Sequence, residues 1–183
     1  SLLVKGPIFF MVTALTAIVY TAWKRDPKLL LKLRPLPGVA LALLIFVPWF
    51  LAINLETGWA FYFEAVGHSM LDKVGEAQEA HTGPLGFHLM ATALTLWPSV
   101  ALLGLGILAA ISMRGRDEVK FLIAWIVPTY IVFEIVATKL PHYTLPSFPA
   151  IAILIGLGIA NAPALLKDRL SWTVHIATVV VAV

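Results

Sequence analysis

The chain has 183 residues, 60% of them hydrophobic and 13% charged, with a formal net charge of +3. Mean hydropathy is +0.92. Soluble domains are nearer half apolar and a quarter charged, so this composition excludes an ordinary soluble domain and defines an integral membrane protein. The small positive balance does not argue for a nucleic-acid partner. Cysteine is absent, which excludes a disulfide, a cysteine-zinc site and a thiol nucleophile.

Six apolar segments are predicted, at about 7–23, 38–54, 86–111, 121–137, 145–163 and 172–183. The expected fold class is all-α: a polytopic transmembrane helical protein with about six spans, forming a single transmembrane domain over 1–183. The chain starts at Ser1 without Met and stops inside an apolar run at Val183. The last run supplies only part of a span, so the sequence reads as a fragment of a longer protein. The first apolar run follows Lys5-Gly6-Pro7 and continues without a small-residue cleavage site, unlike a signal peptide.

The polar connections alternate in charge. Residues 24–37 hold Lys24, Arg25, Lys28, Lys32 and Arg34, residues 113–120 hold Arg114, Arg116 and Lys120, and residues 164–171 hold Lys167 and Arg169. Together these are ten of the thirteen Lys and Arg residues. The positive-inside rule places all three connections in the cytoplasm. Lys5, the 56–85 loop and the 138–146 segment then lie on the extracytoplasmic face, with Lys5, Lys73 and Lys139 as its lone cations.

The extracytoplasmic loop 56–85 carries Trp59, Phe61, Tyr62, Phe63, Val66, Met70 and Leu71 among polar residues. It is too polar to span, and an amphipathic helix lying in the membrane interface fits it. Glu64, His68 and Asp72 share one helix face there, and a solvated polar face accounts for them. Further on, Glu79 and His81 offer a carboxylate and an imidazole to a divalent cation, zinc or magnesium. Two ligands do not make a metal site, and a loop histidine satisfied by a backbone carbonyl is the commoner arrangement. Pro98 and Pro128 are expected to kink their spans. Glu134 falls in the outer part of a span, where a carboxylate must face protein or a wet cavity.

The densest chemistry is Lys139-Leu140-Pro141-His142-Tyr143-Thr144-Leu145-Pro146. The two prolines fix φ, remove two backbone donors and push their preceding residues toward extended backbone. A stiff, non-helical hairpin at the membrane surface is expected. Lys139, His142 and Tyr143 then offer donors and positive charge suited to a phosphate. A snorkelling lysine and an interfacial tyrosine capping two helices is the alternative.

Three motifs thus fall on one face: Lys5-Gly6-Pro7, Gln78-Glu79-Ala80-His81-Thr82-Gly83-Pro84, and the segment from Thr138 to Pro146. In this order they resemble the middle of a bacterial GT-C glycosyltransferase, closest to the aminoarabinose lipid A transferases and the protein O-mannosyltransferase-like (family 39) enzymes. The resemblance covers nearly the whole chain. Its most specific part is the KLPHYTLP segment, while KGP alone is weak. It implies a membrane enzyme of the cell envelope, in the bacterial inner membrane, working on the extracytoplasmic side with a polyprenyl-phosphate-linked sugar as donor. It implies that Lys5 and Tyr143 contact the donor phosphate, that Lys139 and His142 flank it, and that His81 matches a histidine that helps hold a divalent cation in some members. The family's acidic catalytic residue lies before Ser1, so the resemblance assigns no catalytic base in this chain and implies that the chain alone is inactive. The acceptor, whether lipid A, protein or another glycan, is left open.

A secondary transporter, with Glu134 binding ions, and a non-catalytic membrane subunit are the competing readings. Against the transporter, the motifs cluster on one face and no internal repeat is seen. The topology is directly testable in this cysteine-free chain. Single cysteines introduced as Asp26→Cys and Asp72→Cys are expected to react with an impermeant thiol reagent from opposite sides of the membrane, and labelling from the same side rejects the arrangement.

Overall fold

The structure is a computed structural model, in which residues 8–62 and 83–182 are described. Every regular element among them is helical: α1 (Ile8–Lys24), α2 (Lys28–Lys32), α3 (Pro35–Glu56), α4 (Ala60–Tyr62), α5 (Phe87–Thr95), a 3₁₀ turn at Ser99–Leu102, α6 (Leu103–Ser112), α7 (Asp117–Ile135), a 3₁₀ segment at Pro141–Ser147, α8 (Phe148–Ala160), α9 (Ala162–Leu165) and α10 (Arg169–Ala182). Each of the six apolar segments forms helix. Two stretches are long and apolar enough to cross a membrane, Pro35–Glu56 and Pro141–Ala160. A third counts if Phe87–Thr95 and Ser99–Ser112, bent by 113°, are one span. Length and composition thus mark two or three candidate spans among the described residues, against the expectation of about six over the whole chain. Helix α1 has 17 residues and α10 has 14. Helix α7 is 19 residues long but carries Asp117, Glu118 and Lys120 in its first turn and Glu134 near its end.

The described residues fall into two compact units, residues 8–62 and 83 with 135–139, and residues 84–134 with 140–182. In the first, α1 satisfies two of its hydroxyls internally. Thr13 and Thr16 each donate to the carbonyl four residues back, Phe9 and Val12, at 2.7 Å. This is how a span carries threonine without exposing a polar group to lipid. Asp26 ends the following turn by accepting from the Lys28 backbone N–H at 3.1 Å. Helix α3 opens on Pro35 and Pro37, where a missing N–H costs nothing. It contains Pro48, and its apolar window is 0% buried. Its one buried residue, Asn54, donates from Nδ2 to the Phe50 carbonyl at 2.7 Å.

The second unit has an apolar core. Val119 and Leu122 of α7 meet Ala150 and Leu154 of α8. A second cluster joins Tyr130 of α7 to Ile151 and Ile155 of α8. Helices α6 and α8 approach closely because glycines remove the side chain at the crossing. A Cβ at Gly158 would collide with the Leu105 backbone, and one at Gly106 would lie 3.2 Å from Ile155. Helix α10 reaches α6 in the same way: a Cβ at Gly104 would sit 2.8 Å from His175 Cα, and the Gly104 N–H donates to Thr178 Oγ1 at 3.1 Å.

Helix α10 is preceded by Asp168, whose carboxylate accepts from the Ser171 backbone N–H at 2.7 Å. The Ser171 backbone and side-chain bonds hold its pKa below the usual carboxylate value. A depressed carboxylate stabilises above its unfolded pKa, and the contribution is lost as pH falls through the folded pKa. The cap is thus intact at neutral pH and released in acid.

The expectation at 138–146 needs correction. Leu140 is extended as predicted, at φ −125° and ψ 134°. Pro141–Ser147, however, is a 3₁₀ helix that runs directly into α8. Proline is tolerated in the first turn of a helix, and a 3₁₀ turn is a frequent helix entrance. The Leu145-Pro146 pair is absorbed into that turn rather than ending it. The bend at Pro98 is also much sharper than a proline kink within one span, because α5 and α6 are separate helices.

The glycine contacts give a stability test. Gly158→Ala is expected to destabilise the detergent-solubilised protein by about 1–3 kcal/mol through overpacking. Gly156→Ala, where an added Cβ meets nothing within 4 Å, is expected to be neutral or slightly stabilising through helix propensity. Paired thermal melts of the two variants check this.

Candidate functional site

The site grows from one carboxylate. Gly86, at φ 87°, turns the chain into α5 in a left-handed conformation that glycine adopts without strain. The first N–H groups of α5 then lack intrahelical partners. Glu134 from α7 receives them. Its Oε2 accepts from the Gly86 N–H at 3.1 Å, and its Oε1 accepts from the His88 N–H at 2.7 Å. The same Oε1 lies 3.2 Å from His88 Nδ1. An ionised carboxylate only accepts, so Nδ1 carries the imidazole proton in this pairing. The His88 side chain is 0% exposed and that of Glu134 is 14% exposed. Glu134 thus faces protein, as a carboxylate in a largely apolar helix must.

One turn further along α5, Thr92 Oγ1 donates to the His88 carbonyl at 2.6 Å. It also lies 2.6 Å from the Tyr130 hydroxyl. A threonine hydroxyl has one proton, so Tyr130 donates to Thr92. The polar run is therefore directional, from Tyr130 through Thr92 to the His88 carbonyl. Thr144 lies beside the Tyr130 phenol, though its hydroxyl makes no well-aligned hydrogen bond. Thr144 and Ser147 are buried together, as positions three apart on a 3₁₀ helix share a face.

The aromatic residue of the 3₁₀ segment packs onto this cluster. The Tyr143 ring lies 5.1 Å from Phe133 and 6.4 Å from His88, the latter near-parallel at 18°. His142 is exposed and meets Tyr143 edge-on at 5.1 Å. Lys139 is 8% exposed, so it is not a lysine snorkelling into water. Of the residues singled out from sequence, Tyr143 and His142 are in contact, and Tyr143 adjoins the Glu134–His88 pair. Lys5, Glu79 and His81 lie outside the described residues, as does most of the 56–85 loop. Among the described residues no three His, Asp or Glu side chains gather as a metal site. His88 was not predicted. The available signal was a histidine just inside one span and a carboxylate just inside another, each needing a partner in lipid.

Together these features define a helical membrane protein with a polar, aromatic corner at one end of its second unit. The comparisons bear out the resemblance carried by the motifs. The chain is 29% identical over 168 residues to an undecaprenyl phosphate-alpha-4-amino-4-deoxy-L-arabinose arabinosyl transferase of Pseudomonas fluorescens, covering 91% of this chain. It is 30% identical over 156 residues to the transferase of that name from Pseudomonas paraeruginosa, covering 84% of this chain. It is 31% identical over 173 residues to the one from Aeromonas salmonicida, covering 91% of this chain. The chain is homologous to these aminoarabinose transferases and spans 28% to 30% of their length. No protein-family model matches it, and no solved structure does.

The hydroxyl relay is testable by stability. Thr92→Val leaves the buried Tyr130 hydroxyl without its acceptor and is expected to cost about 1–3 kcal/mol. Adding Tyr130→Phe removes the stranded donor, so the double variant is expected to be more stable than Thr92→Val alone. Denaturation of the three proteins in detergent distinguishes this from simple additivity.

Proposed function

We propose that this chain forms part of an integral membrane glycosyltransferase that takes its sugar from a polyprenyl-phosphate-linked donor. The observation that carries the reading is the homology to transferases named for an undecaprenyl-phosphate sugar. It is supported by the phosphate-suited His142 and Tyr143 on the 3₁₀ turn that opens a span-length stretch, with Lys139 just before it in sequence.

The chemistry follows from the leaving group. Cleaving a sugar from a lipid phosphate leaves negative charge on the phosphate oxygens. Fixed cations and hydroxyl donors stabilise that charge most where water is excluded. Tyr143 and Lys139 supply a donor and a cation, and Lys5 and His142 complete the set. The acceptor, lipid A or another extracytoplasmic hydroxyl or amine, needs a base to remove its proton. We assign that base to a part of the full-length enzyme outside this chain, which spans under a third of its relatives' length, and expect the chain by itself to be inactive. His81, with Glu79 as a weaker second, takes a divalent zinc or magnesium ion only with carboxylates from that other part. The topology of this reading has about six spans, the site on the extracytoplasmic side and the whole in the bacterial inner membrane. Residues 56–85 form an extracytoplasmic loop with an interfacial helix.

A broken helix and a buried carboxylate would also suit an ion-coupled transporter. Against that, Glu134 spends its oxygens on backbone N–H groups and an imidazole rather than presenting them to an ion.

The test is donor-dependent transfer by the full-length enzyme. Charge-assisted hydrogen bonds contribute about 1.5–3 kcal/mol each, so Lys139→Ala and Tyr143→Phe are each expected to lower kcat/KM by about ten- to a hundredfold. Full activity in both variants removes them from the phosphate site.

A further inference from the structure

Glu134 has no role in the proposed chemistry, yet a carboxylate within a span is costly and here is elaborately satisfied. Capping α5 needs only its two backbone bonds. The third contact is to the His88 ring, and through Oε1 the one oxygen grips both the backbone and the imidazole of a single residue. A ring held at its own N–H and by Nδ1 has little freedom about either χ angle.

That ring is where the candidate phosphate ligand rests. His88 lies near-parallel to Tyr143 at 6.4 Å and 18°, within the range of offset stacking. Phe133, the residue before Glu134 on α7, packs against Tyr143 at 5.1 Å and 35°. Two adjacent residues of one helix therefore bear on the phenol, Phe133 by direct contact and Glu134 through His88.

We propose that Glu134 is a positioning residue for Tyr143: by fixing the His88 ring it sets the direction in which the Tyr143 hydroxyl points. This rests on the reading of Tyr143 as a contact to the donor phosphate. Glutamine at 134 keeps the shape but replaces one acceptor oxygen by a donor. One of the three N–H groups then faces another donor, and the charge-assisted hold of an ionised carboxylate on the His88 ring is weakened to that of a neutral amide. A ligand displaced by a fraction of an ångström loses much of its effect, because supporting groups hold it within about 0.5 Å of the productive geometry.

The experiment is a double-mutant cycle on the full-length enzyme with a polyprenyl-phosphate sugar, measuring kcat and KM for donor. Tyr143→Phe keeps the ring and removes the hydroxyl. Glu134→Gln and Tyr143→Phe are each expected to lower kcat/KM about tenfold, in the same parameter, and the double variant also about tenfold rather than about a hundredfold. His88→Asn supplies an amide N–H where Nδ1 stood, so Glu134 keeps its partner while the stacking ring is lost. It is expected to show the same loss and the same failure to add to Tyr143→Phe. Size-exclusion behaviour and tryptophan fluorescence confirm that each variant is folded, and if Glu134→Gln is not, His88→Asn decides alone. Losses that multiply, or an unaffected folded Glu134→Gln, overturn the positioning role and leave the phosphate site standing. An unaffected Tyr143→Phe overturns both.

Discussion

A membrane interior offers no water, so each polar group in it must find its partner within the protein. The second unit is arranged around that requirement at one point, the end of α5. The third apolar segment opens on a nine-residue helix whose first N–H groups have no intrahelical partner. Only an acceptor from elsewhere can satisfy them, and Glu134 of α7 does so. The carboxylate and the helix end are each costly alone, and together each removes the other's cost. His88, Thr92, Tyr130 and Tyr143 then take their places by extension from that joint.

The rest of the second unit is held by shape rather than polarity. Helices α6 and α8 meet where glycine brings backbone against side chain, and α10 meets α6 over Gly104 and Thr178. In lipid there is little hydrophobic gain from bringing helices together, so close approach and dispersion contacts carry the association. The polar corner is thus attached to a closely packed frame, which keeps Tyr143 and the Glu134–His88 pair in register. A reaction that depends on aiming a hydroxyl at a phosphate benefits from that rigidity.

Much of this was legible in the residues. Six apolar runs became helix because each lacks the polar period of a soluble helix or a strand. Glu134 had to face inward because lipid would not tolerate it. Leu140 had to be extended because Pro141 follows it. Other features escaped for definite reasons. Apolar composition cannot reveal that residues 86–112 form two helices, since both arms look like one span until the backbone turns. The 3₁₀ path of Pro141–Ser147 was missed because two prolines read as breakers, although a proline also fits a first turn. His88 was overlooked because a single histidine within an apolar run carries no motif, and its partner lies 46 residues away.

The bend between α5 and α6 has a consequence for depth. Nine residues at about 1.5 Å each make α5 only about 14 Å long. With α6 along the membrane normal, a 113° bend tilts α5 nearly into the membrane plane, and its two ends differ in depth by roughly 5 Å. His88, Thr92 and Thr95, four and three residues apart, lie along one side of it. They form a shelf at nearly one level instead of a ladder descending through the bilayer. With His88 and Thr92 buried, that shelf is turned to the protein at a single level, and its polar atoms are matched there by Glu134 and Tyr130 instead of being spread across the bilayer.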